Sequence, residues 1–119
     1  MKSNSICLIL FIVISCTSIP DLSDEQKEKV YGKAVEILSV TPVEELFLSR
    51  VTWPKELNFI TPKKVYMLDN GLYIQLHSFF VTESGLFVPR KGIKVTSGVD
   101  PKYLKISPHL ELYFYEIEG

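Results

Sequence analysis

The tightest constraint on how this chain can fold is a change of hydrophobic period near residue 63. Before it, apolar residues recur at helical spacing; after it they fall on every second residue, the repeat of a half-buried strand. Val65-Tyr66-Met67-Leu68 and Leu72-Tyr73-Ile74-Gln75-Leu76-His77 flank Asp69-Asn70-Gly71 and read as the arms of an antiparallel hairpin. Asn70-Gly71 is expected to form the two-residue loop, because Asn-Gly supplies the positive φ angles of a type I′ turn. Leu68 then faces Tyr73, Met67 faces Ile74, and Tyr66 faces Gln75. This register gathers Val65, Met67, Leu72, Ile74 and Leu76 on one face. Tyr66, Leu68, Tyr73, Gln75 and His77 take the other.

The segment before the hairpin carries helix signals. Ser23 followed by Gln26 forms a capping box, and Asp24 and Glu25 suit the positive end of a helix dipole. Val30, Ala34, Ile37 and Leu38 make an apolar stripe, which predicts an amphipathic helix over about 24–39. Thr41, Pro42 and Glu44 predict a second short helix, with Val43, Leu46 and Phe47 inward and Pro54 ending it. Beyond the hairpin, the second strand is expected to run through Phe79-Phe80-Val81. Thr82-Glu83-Ser84-Gly85 follows as a turn into Leu86-Phe87-Val88. Short strands are expected at 93–95 and 103–106, and a last one over 109–117. Together these elements predict one α+β domain over 24–119: an N-terminal amphipathic helix and a short second helix packed on an antiparallel meander of about four to six strands.

The first residues concern address. Lys2 is followed by an unbroken apolar run from Ile6 to Ile14, too short to span a bilayer as a helix and suited to a secretory signal. Its ending, Val13-Ile14-Ser15-Cys16, resembles the lipobox of bacterial lipoproteins. That resemblance implies removal of residues 1–15, acylation of Cys16 as a lipid anchor to the membrane, and residues 16–23 as a lipidated N-terminus and short tether. It also implies a bacterial cell-envelope location, at the outer membrane facing the periplasm in a Gram-negative host, since Thr17 rather than aspartate follows the cysteine. Cys7 would leave with the signal, so lipidation also accounts for a single cysteine in the mature chain. Two alternatives remain: an ordinary signal cut near Ser18, giving a secreted or periplasmic soluble domain, and an uncleaved anchor.

The net charge of −1 gives no electrostatic footprint for nucleic acid or for anionic membrane surfaces. No phosphate loop, no His-Glu-x-x-His, no Cys-x-x-Cys and no Gly-x-Ser-x-Gly occurs, so the expectation is a non-enzymatic protein without cofactor or metal. The favoured surface is the tyrosine-bearing sheet face, Tyr66, Tyr73, Gln75 and His77, extended by Glu111, Tyr113 and Tyr115 if the last strand lies alongside. Such residues offer ring area and polar tips to an envelope protein partner, as an inhibitor, immunity or assembly-accessory module would require. The competing reading is that this face is covered, or is an ordinary half-wet sheet surface. An apolar tip built from Phe79, Phe80, Leu86, Phe87 and Val88 is a second candidate surface. A small-ligand carrier is the alternative function, with its pocket between helix and sheet and Tyr31, His77 or Tyr113 as polar contacts. An enzyme would need His77 or His109 to meet a carboxylate in a cleft.

Overall fold

The computed structural model describes residues 19–40, 47–48, 52–96, 98 and 100–118. Helix α1 (Asp24–Val40) is followed by β1 (Phe47–Leu48), a short 3-10 helix (Lys55–Ile60), β2 (Lys64–Leu68), β3 (Gly71–Phe79), β4 (Thr82–Pro89), β5 (Lys102–Lys105) and β6 (Tyr113–Ile117). The strands form one six-stranded antiparallel sheet in the order β1-β2-β3-β4-β6-β5. The α+β class is therefore the one the sequence pattern predicts, a helix and a short second helix on an antiparallel sheet.

Helix α1 starts where its capping box places it. The Ser23 N–H donates to Gln26 Oε1 (2.9 Å) and the Gln26 N–H donates back to Ser23 Oγ (3.1 Å). Val30, Ala34 and Ile37 are buried and meet Val65, Met67, Leu72, Ile74, Leu86, Val88 and Leu112 from the sheet side. The helix is also pinned at its start, where Lys27 Nζ donates to the Ile106 carbonyl (2.7 Å). The expected second helix falls mostly on residues 41–46 and 49–51, outside the described residues. Phe47 and Leu48, expected in that helix, form a strand paired with Tyr66 and Val65. Among the described residues a short helix lies just after Pro54, which starts it. A proline at a helix start loses no hydrogen bond. Trp53 and Leu57 from this region close the helix side of the core.

Both hairpin turns differ from expectation for one reason: the glycines serve close packing. In the first, Leu68 pairs with Gly71, Met67 with Leu72 and Tyr66 with Tyr73, so the loop is Asp69-Asn70. Neither loop residue has a positive φ. A Cβ on Gly71 would overlap the Val88 carbonyl and Pro89 Cα of β4. The displacement is two residues, which leaves the two predicted faces intact. In the second hairpin, Phe79 pairs with Thr82 and the loop is Phe80-Val81, not 82–85. Gly85 lies inside β4, opposite a bulge in β3 between Gln75 and His77, and a Cβ there would run into the Ile74 carbonyl. Gly85→Ala is accordingly expected to push β3 and β4 apart and cost about 3 kcal/mol, read as a lower thermal midpoint. The predicted strand at 93–95 is absent; those residues are irregular, and the final strand starts at Tyr113 rather than His109.

Candidate functional site

The tyrosine-bearing face, the candidate surface if it were exposed, is a second packed interior. Tyr66, Tyr73, Phe87 and Tyr115 form a buried cluster on the sheet face away from α1, with Val95, Tyr103, Tyr113 and Ile117 around it. Tyr73 is its hub. Its ring stacks on Tyr66 (centroids 5.1 Å), meets Tyr115 edge-on (4.9 Å) and tilts against Phe87 (4.6 Å). The Tyr73 and Tyr103 hydroxyls lie 2.7 Å apart, although β4 and β6 separate their strands. A flat sheet would hold those strands roughly 14 Å apart, so the sheet curls over its aromatic side.

The phenol tips are satisfied internally. Tyr66 and Tyr115 both donate to Glu83 Oε2, Tyr115 at 2.6 Å. The Tyr73 hydroxyl also shares hydrogen bonds with the Asn70 side chain (2.9 and 3.2 Å). Burial raises the ionisation of Tyr66, Tyr73 and Tyr115 far above the ordinary phenol value, and the bonds to Glu83 and Tyr103 add to it. Glu83 and Asn70 are the members sequence reasoning missed. For Glu83 the signal was parity, since it alternates in step with Gly85 and Phe87, but the expected turn at 82–85 hid it.

The other predicted site residues scatter. Gln75 is buried; His77 and Glu111 are exposed and Tyr113 is half-buried. The Glu111 carboxyl is held below the usual range by Lys105 Nζ (3.0 Å) and by the Tyr113 hydroxyl, which donates at 2.9 Å. Tyr31 lines an open groove of about 720 Å³ at the far end of α1. His77 lines a different hollow of about 640 Å³, with Pro20, Leu22 and Lys63. Tyr31 and His77 thus line separate hollows, and Tyr113 lines neither of these two.

The feature that ordinary folding does not explain is the β3–β4 tip. β2 last pairs with β3 at Gln75, and β6 last pairs with β4 at Glu83, so the end of the hairpin projects beyond the sheet. Phe79, Phe80 and Val81 crown it at 72%, 91% and 69% exposure, the Phe79 and Phe80 rings touching with centroids 4.4 Å apart. Each exposed phenylalanine forgoes about 1.5–3 kcal/mol that burial would supply. Phe80 also has φ +57°, positive at the first loop position only, where a two-residue hairpin loop ordinarily uses glycine. Strain of about 1–2 kcal/mol under a ring that stays in solvent marks a position shaped by something other than stability. Phe80→Gly is expected to raise stability by about 0.5–1 kcal/mol, measured by denaturant unfolding, while removing the ring that the tip presents. The apolar tip expected from the sequence is thus half present: Phe79 and Phe80 are exposed, whereas Leu86, Phe87 and Val88 are core.

No family model matches the chain, and no curated protein or solved structure matches it.

Proposed function

We propose that this chain is a small non-enzymatic lipoprotein of the bacterial cell envelope, acylated at Cys16, whose contact element is the β3–β4 tip. The tyrosine-rich face is its scaffold. Phe80 carries the reading: a large apolar ring, almost wholly exposed, on backbone that favours glycine. Residues kept in strained backbone at a cost to folding concentrate at functional contacts. The address is supported by the lipobox resemblance of Val13-Ile14-Ser15-Cys16, and Cys16 is the one cysteine that removal of residues 1–15 would leave. Residues 17–22 separate Cys16 from the helix cap, a span of at most about 25 Å, so the domain would ride close to the bilayer.

The test is the intact mass of the protein recovered from the membrane fraction, beside a Cys16→Ser variant. The expected result is a chain beginning at Cys16 and carrying acyl groups, with the variant lacking them. A mature chain that begins beyond Cys16 without lipid would overturn the tether and make the domain soluble and secreted.

A further inference from the structure

We infer that the β3–β4 tip inserts into the lipid bilayer, as a second membrane contact beside the acylated N-terminus; the inference rests on the tip being the contact element. Position favours it first. The start of the described chain lies against the tip's own strand: Pro20, Asp21 and Leu22 share a hollow with Leu76 and His77. Phe79 follows His77 by two residues on β3, a step of about 7 Å. Ile19 is three residues from Cys16, at most about 11 Å of chain. An acyl group at Cys16 therefore brings the bilayer to the end of the domain from which the hairpin projects.

Size favours it as well. Two phenylalanines and a valine offer roughly 500 Å² of apolar surface, short of the ~800 Å² that each side of a stable protein interface contributes. Their chain neighbours His77, Ser78 and Thr82 are polar. A bilayer asks for less: a compact apolar tip seated about 5–10 Å into the headgroup and acyl boundary, ringed by polar groups at headgroup level.

The experiment uses the full mature chain reconstituted into phosphatidylethanolamine–phosphatidylglycerol vesicles with brominated acyl chains. Phe80→Trp places a fluorophore at the tip, and Trp53, the one native tryptophan, is buried and supplies a constant background. Insertion predicts that the introduced indole emits with a blue shift and is quenched about twofold by the bromines, with wild-type emission unchanged. Water-like, unquenched emission from the introduced indole overturns the inference. A blue shift without quenching also overturns it, and its dependence on protein concentration tells a second copy from a bound protein. The intact mass of the same sample keeps the two proposals apart: quenching without acylation leaves insertion standing and removes the tether, and acylation without quenching does the reverse.

Discussion

Raising the pH above about 10 is expected to unfold this protein cooperatively, with Tyr66, Tyr73 and Tyr115 ionising in the same step. Tyr66, Tyr73 and Tyr115 all have ionisation pushed upward in the fold, first by burial and then by hydrogen bonds. The sign follows from proton binding. Above the ordinary phenol value the unfolded chain loses these protons while the folded chain keeps them, so the stabilisation present at neutral pH disappears as pH rises. Each such phenol removes about 1.4 kcal/mol per pH unit while only the unfolded chain ionises, and three act in the same direction against the ~5–15 kcal/mol stability of a small domain. Tyrosinate absorbance and far-ultraviolet dichroism should change together. Gradual ionisation with the fold intact would mean that water reaches these hydroxyls.

Tyr115→Ala is expected to be the most destabilising single truncation on the aromatic side, at about 3–5 kcal/mol. Tyr115 is fully buried, meets Tyr73 edge-on and donates to Glu83. Tyr115→Phe keeps the ring and loses only the hydroxyl bond, so its cost is expected near ~1–2 kcal/mol. Tyr66 continues to donate to Glu83 in that variant, so the carboxylate keeps a partner. Chemical denaturation of both variants separates the two contributions. Equal, small costs for both would mean that the aromatic side is not a packed interior.

Local patterns in the sequence were readable wherever a single element set them. The Ser23–Gln26 box starts α1, and the alternation through Val65, Met67, Leu72, Ile74 and Leu76 separates the two sheet faces despite a register two residues away. What could not be read there depends on distant strands. Gly71 and Gly85 look like turn residues until β3 and β4 lie close enough for a Cβ to strike backbone. The alternation of tyrosine with polar residues looks like a half-wet surface until the sheet curls and Tyr103 reaches Tyr73. The tip was half legible: its apolar residues were visible, but Phe80-Val81 carries no turn signal, and only the pairing of Phe79 with Thr82 leaves it unsupported.

Hydroxyl-radical footprinting of the full chain on vesicles would show in one sample whether the tip is the contact surface and the tyrosine face an interior. Val40 and Leu68, exposed at the opposite end of the molecule, report what free apolar side chains take up under the same conditions. Strong labelling of Val40 and Leu68 is expected, with Phe79 and Phe80 protected and Tyr73 and Tyr115 unlabelled. Labelling of Phe80 as strong as that of Leu68 would contradict the first assignment, and labelling of Tyr73 and Tyr115 in the folded protein would contradict the second.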